Sequence, residues 1–135
     1  MTSYRFWLPG EPVAQARART GKGFAFYPAK SANYRKWAVL QLRDQLAGRP
    51  PLDGALQLTV TFHRCRPKSN KSPRPVVRPD LDNYVKMTCD ALMDAGAILD
   101  DGAVCALHAV KVWSMDPGVE VVVEPLPLHF VRRLR

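Results

Sequence analysis

Six of the twelve acidic residues of this chain are aspartates within one stretch: Asp80, Asp82, Asp90, Asp94, Asp100 and Asp101. Like charges repel unless something positive neutralises them, so a basic protein gains little from crowding them. Short carboxylates brought together from different segments are what a hard divalent cation requires. Magnesium takes oxygen ligands at ~2.0–2.1 Å and keeps several waters, so one or two direct carboxylates suffice. Lys86 follows Asp82 by four residues, on the same side of any helix that holds both. Asp100-Asp101 closes the apolar stretch Ile98-Leu99 and can return beside the start of that helix. Asp80, Asp82 and Asp101 would then surround a metal, with Lys86 close to a phosphate. That is the inventory for hydrolysing a phosphodiester: a metal to polarise the phosphoryl group and acidify a water, and a cation to offset developing charge.

Each residue also has a plainer reading. Asp80 after Pro79 suits a helix N-cap, Asp82 with Lys86 a surface ion pair, and Asp100-Asp101-Gly102 a turn. Spacing alone does not choose between the two.

The elements that must position these residues follow from periodicity. Residues 3–8 alternate as a strand and end at Pro9-Gly10; residues 24–27 read as a second, short strand. Between them lies a basic loop with Arg17, Arg19 and Lys22. Ser31 is placed to cap a helix to about residue 47, with Val39, Leu42 and Leu46 on one face and Gly48 and Pro50-Pro51 beyond it. Residues 55–63 alternate cleanly, with Leu56, Leu58, Val60 and Phe62 on one side. In residues 66–80, Pro67, Pro73, Pro75 and Pro79 interleave with Arg66, Lys68, Lys71, Arg74 and Arg78, which predicts an extended basic loop. A helix is expected over 81–95, with Leu81, Val85, Cys89 and Leu92 inward, Asp82 outward and Gly96 as its stop. Residues 103–113 and 119–124 read as strands joined in a hairpin by Asp116-Pro117-Gly118. The whole, residues 1–135, is expected to be one small α+β domain, a mixed sheet with two main helices.

Composition sets the surroundings. The 135 residues carry 47% apolar and 24% charged side chains, which excludes a disordered basic tail and a disulfide scaffold. The net charge of +8 divides into −5 over residues 80–101 and +13 over the rest, a basic shell around an acidic centre. Nucleic acid is the simplest anionic partner for such a shell. Cys65, Cys89 and Cys105 are odd in number and widely spaced, which fits reduced, structural thiols in a cytoplasmic protein. No apolar run approaches the ~20 residues of a membrane helix, so no membrane partner is expected. His63, His108 and His129 lack metal-like spacing, and Tyr27, Trp37 and Phe62 read as core rather than as wedges into a base stack.

The run Arg78-Pro79-Asp80-Leu81-Asp82-Asn83-Tyr84-Val85-Lys86, then Asp90-Ala91-Leu92, Gly96 and Asp100-Asp101, resembles the RusA family of Holliday-junction resolvases. Its start is similar too, with Pro9-Gly10, Pro12-Val13 and the close arginines Arg17 and Arg19. The resemblance implies a RusA-like fold and a Mg²⁺-dependent endodeoxyribonuclease, with Mn²⁺ as a substitute metal. Such an enzyme would act as a homodimer on four-way DNA junctions, making paired symmetric nicks in recombination and repair, in a bacterium or a phage-derived setting. On the matching positions it implies Asp80, Asp82 and Asp101 as catalytic metal ligands and Lys86 as the catalytic lysine. Asp100 is an additional candidate ligand, Asp90 a brace, and Asn83 a hydrogen-bonding support for Asp82. Arg17, Arg19, Lys22, Arg66, Lys68, Lys71, Arg74 and Arg78 are the expected DNA contacts. Ala103 stands where the family usually has Gln, and Ala18 where it often has Pro. A non-catalytic nucleic-acid-binding module, and a nuclease for other branched DNA, are the alternatives.

Overall fold

The computed structural model describes residues 2–16, 19–21, 24–26 and 29–128, the two three-residue segments as backbone only. Strand β4 (Leu56–Arg64) lies at the centre of the sheet. Leu56, Leu58, Val60 and Phe62 are buried along one face, while Gln57, Thr59, Thr61 and His63 turn to the other. β4 pairs in parallel with β5 (Val104–Trp113) and antiparallel with β6 (Gly118–Pro125), and β6 pairs antiparallel with β1 (Tyr4–Pro9). The four-stranded order is β1-β6-β4-β5, a mixed sheet as expected. Strands β2 (Arg19–Gly21) and β3 (Phe24–Phe26) form a separate antiparallel ribbon.

Helices α1 (Ala29–Leu46) and α2 (Leu81–Ala95) cover the apolar face of the sheet and contact each other. α1 buries Ala38, Val39, Leu42 and Leu46, one helical stripe. α2 buries Tyr84, Cys89, Ala91 and Leu92, and the Tyr84 ring stacks on Phe62 with centroids 4.9 Å apart. That pair pins the first turn of α2 to the sheet centre. At the other end Gly96 takes φ +81°, a left-handed turn glycine adopts without strain, and Ala97 N–H closes on the Leu92 carbonyl at 3.0 Å. The chain then enters a short 3₁₀ turn, Asp101–Ala103, and β5. Among the described residues no helix is long and apolar enough to cross a membrane.

Three expectations are corrected. The last two strands do not form a hairpin: β4 lies between them. Residues 114–117 step over the end of β4, with Ser114 N–H on the Arg64 carbonyl at 2.7 Å. The turn signal was sound as a reversal of direction, but β4, with its inward positions fully buried, takes both neighbours as ladder partners. Ser31 does not cap α1, which begins at Ala29; it is buried, and its hydroxyl accepts the Ala16 N–H at 3.2 Å. Of the three cysteines only Cys89 is buried, whereas Cys65 and Cys105 are exposed at the ends of strands. Phe62 is core as expected and Trp37 packs against the core, while Tyr27 and His129 lie outside the described residues.

On the open face of the sheet the Trp7 indole lies across Gly118 and meets the His63 ring edge-on at 5.7 Å. A methyl group at 118 would run into that indole and approach the Leu8 carbonyl to 2.8 Å. Gly118→Ala is therefore expected to destabilise the fold by about 1–3 kcal/mol, the usual cost of overpacking. Chemical denaturation measures it, and an unchanged midpoint would contradict this packing.

Candidate active site

The first turn of α2 carries most of the acidic motif. Asp80 occupies the N-cap position with extended backbone, but its side chain makes no capping bond. Instead its carbonyl accepts the N–H groups of Asn83 and Tyr84 at 3.2 and 3.3 Å. The carboxylate is left half-exposed, and its ion pair among the described residues is a loose contact of 3.9 Å to the still more open Arg78. Leu81 turns to the core and Asp82 to solvent, as the helical phase required. Among the described residues Asp82 forms no ion pair. Lys86 does not turn back to it but reaches forward one turn to Asp90, Nζ to Oδ1 at 3.0 Å.

Asp90 is the buried charge of the site. Its carboxylate lies beneath Lys86 on one side and Arg35 of α1 on the other, at 3.6 Å. Arg35 continues to Asp94 at 2.8 Å. The Asp90 carboxylate, first by hydrogen bond and then by charge, holds the Lys86 ammonium above the ordinary lysine range, and Asp101 adds to this from further off. Burial first, then Asp101 and Asp90, pushes the Cys89 thiol up to about 11, so it stays protonated and inert at neutral pH.

Asp100 and Asp101 divide the work of their turn. Asp100 accepts the Gly102 N–H at 3.1 Å, and that bond, followed by the Asp101 side chain, holds its carboxyl below the usual range. The turn reading is therefore realised by Asp100. Asp101 is anchored through its backbone N–H on the Met93 sulfur at 3.2 Å and sets its carboxylate within electrostatic reach of Lys86.

Two cations that sequence reasoning missed hold the approach to Asp80. Lys111 of β5 donates to the Val77 and Pro79 carbonyls at 2.9 and 3.2 Å. Arg64 of β4 donates to the Arg78 carbonyl between them at 3.2 Å and pairs with Glu11 at 3.4 Å. Burial and the nearby Arg64 lower the Lys111 pKa, with Asp80 opposing. The available signal for Lys111 was its phase: opposite Phe62, it falls on the core side of the sheet, where a charge needs a partner. Trp113 adds a bond from its indole N–H to the Ser72 carbonyl at 3.0 Å. Gln15 N–H donates to the Asn83 carbonyl at 3.0 Å, drawing the N-terminal loop against α2. Asn83 thus acts here through its main chain.

Arg66, Lys68, Lys71, Arg74 and Arg78 are all exposed along the proline-rich loop. Arg17 and Lys22 lie outside the described residues, as does the Arg19 side chain. A hollow of about 600 Å³ lined by Glu11, Gln15, Arg64, Arg78 and Asp80 adjoins the start of α2. No three metal-ligating side chains form a closed cluster among the described residues. The donors present, hard carboxylate oxygens open to solvent, suit a cation that keeps most of its waters.

Open carboxylates and one lysine set within a cationic surface are the arrangement of a protein that acts on nucleic acid. Residues 9–124 match the family described as Endodeoxyribonuclease RusA, and the chain belongs to that family. Uncharacterized protein YqaN of Bacillus subtilis (strain 168) is 33% identical over 139 residues, covering 91% of this chain and 96% of that protein. Crossover junction endodeoxyribonuclease RusA of Aquifex aeolicus (strain VF5) is 26% identical over 125 residues, covering 91% of this chain and 90% of that one.

Two structural predictions follow from the bonds around α2. Asp90→Asn removes the main causes of the raised Lys86 pKa, so Lys86 should titrate lower in the variant, as read by NMR of its side-chain carbons. A lysine raised by its partner contributes stability in full below the ordinary value of 10.5 and loses it as the pH rises through the higher folded value. With the half-exposed Lys86 screened by solvent, the destabilisation should be at most about 1 kcal/mol and constant from about pH 6 to 9. An unmoved Lys86 titration would contradict the pairing. Lys111→Met should cost ~1–2 kcal/mol and hasten limited proteolysis within 66–80. Unchanged cleavage there would show that the loop is held by other contacts.

Proposed function

We propose that the chain is a metal-dependent, structure-specific endodeoxyribonuclease that resolves four-way DNA junctions by paired symmetric nicks. The observation that carries this is the state of the carboxylates at the start of α2. Asp80 holds the cap position without capping, and Asp82 forms no ion pair among the described residues. Aspartates with a purely structural role would be expected to use their side chains. Asp80, Asp82 and Asp101 would hold Mg²⁺ or Mn²⁺, and Asp100 would support Asp101. When bound, the metal polarises the phosphoryl group and makes a water acidic enough to attack.

The chain's own residues supply the rest. Lys86, oriented by its bond to Asp90, offsets charge developing on the phosphate. Arg64 and Lys111 set the backbone from which Asp80 projects. The exposed cations of residues 66–78 would grip phosphates, giving affinity that falls steeply with salt. A homodimer with twofold symmetry would present two such sites to a twofold junction, matching a nick on one strand with a nick on its counterpart. Acting on recombination and repair intermediates follows from that substrate.

The test is a panel of four-way junction, flap and linear duplex with Mg²⁺, using wild type and Asp82→Asn. Wild type should cut the junction in preference to the others. Asp82→Asn should cut roughly a hundredfold more slowly or less while still binding the junction without metal. Junction cutting by the variant at the wild-type rate would remove Asp82 from the site. Metal-indifferent binding with no product from wild type would favour a binding module.

A further inference from the structure

We propose that the groove between α1 and α2 is a second nucleic-acid contact, which seats the sugar–phosphate backbone of the DNA arm leading away from the cut. This rests on the nuclease reading and adds to it a surface outside the two basic loops. The groove has a volume of about 910 Å³, and its walls are one stripe from each helix. Ala32, Arg35, Lys36, Val39, Leu40 and Arg43 come from α1; Lys86, Asp90 and Asp94 come from α2.

Its charges do not cancel. Asp90 is neutralised by Lys86 and Arg35, and Asp94 by Arg35, so the carboxylates form an ion-paired floor rather than a repulsive wall. Four cations against two carboxylates leave a surplus of two positive charges. Lys36 is exposed and has no ion pair among the described residues, while Arg43 is anchored on the Asp94 carbonyl at 3.0 Å. Over all of α1, Lys30, Arg35, Lys36 and Arg43 face a single acid, Asp44. Arg35 and Arg43 are engaged with α2, which leaves the surplus positive charge of this surface centred on the exposed Lys36.

The shape points to a polymer and not to a single phosphate. From Ala32 to Arg43 the helix rises about 16 Å at ~1.5 Å per residue, about five nucleotides of a strand at ~3.4 Å each. Leu40, 62% exposed on this wall beside Val39, offers apolar surface to the deoxyribose between the charges. Lys86 lines the groove as well, so a backbone lying in it would pass the lysine of the proposed site.

The test is Lys36→Glu, assayed for four-way junction binding by fluorescence anisotropy without divalent metal over a range of salt. The expected result is about tenfold weaker binding near 0.1 M salt and a salt dependence shallower by about one or more, as for the loss of a phosphate contact. Lys36→Arg should restore both. Arg5→Glu makes the same charge change on the opposite face of the sheet, where Arg5 pairs with Val122, and should bind as wild type does at equal salt. Wild-type affinity and salt slope in Lys36→Glu overturn the proposal. So does an equal loss in Arg5→Glu, which would report overall charge, or a loss explained by changed self-association in sedimentation. Failure of the wild type to cut any branched DNA would end the nuclease reading, whereas a normal Lys36→Glu in a wild type that cuts ends only this groove.

Discussion

A proline-rich segment cannot hold itself in place through a hydrogen-bond ladder, because proline lacks the N–H and restricts its neighbours. Residues 66–80 nevertheless have to deliver Asp80 to the start of α2. The solution is a clamp from outside. Arg64 and Lys111, near the ends of adjacent parallel strands, donate to the three successive carbonyls of Val77, Arg78 and Pro79. The carbonyl oxygens of this bent stretch point in different directions, so bonds to three in succession define position and orientation together. The parallel pairing of β4 and β5 makes this possible, since it brings Arg64 and Lys111 to the same end of the sheet. A parallel pair needs a crossover connection, and α2 with its flanking loops supplies it. The element that carries the acidic motif is thus also the crossover that builds its support.

A second consequence concerns charge. Asp90 is buried, and burying a carboxylate costs several kcal/mol unless partners compensate. Lys86 comes from its own helix and Arg35 from the facing one, so the same carboxylate orients the lysine and ties α1 to α2. Neither α1 nor α2 can shift along the other without breaking that bridge.

Much of the fold was legible in local pattern. The alternation of Leu56 to Phe62 announced the central strand, and Gly96 with its left-handed turn ended α2 where expected. The long loop of prolines and cations remained a loop. Partner choice was not legible: an Asp-Pro-Gly turn specifies a reversal, but whether β6 takes β5 or β4 depends on which strand has two buried ladders to offer. In the site, the side-chain types were visible and their engagements were not. Asp82–Lys86 and Lys86–Asp90 have the same spacing of four residues, and only the burial of Asp90, supported by Arg35 from another helix, favours the second. Arg64 and Lys111 went unnoticed because their partners in the proline-rich loop are backbone carbonyls, which composition does not show, and only the strand phase of Lys111 marked it.

The aspartates fall into two groups with different physics. Asp90, Asp94 and Asp100 are engaged with Lys86, Arg35 and the Gly102 N–H, Asp101 is partly exposed and meets the Asp100 side chain, and Asp80 and Asp82 stand open to water. In water two unit charges 4 Å apart interact by only ~1 kcal/mol, so the folded chain tolerates the open set at small cost. Should a nucleic-acid backbone cover them and displace that water, the same pair at an effective dielectric of ~20 would interact by ~4 kcal/mol. Repulsion that is negligible in the free protein then becomes a strong demand for positive charge at that place. Lys86, already oriented by Asp90, is placed to meet part of it. Exposure of these carboxylates is therefore what keeps their mutual repulsion small in the folded chain.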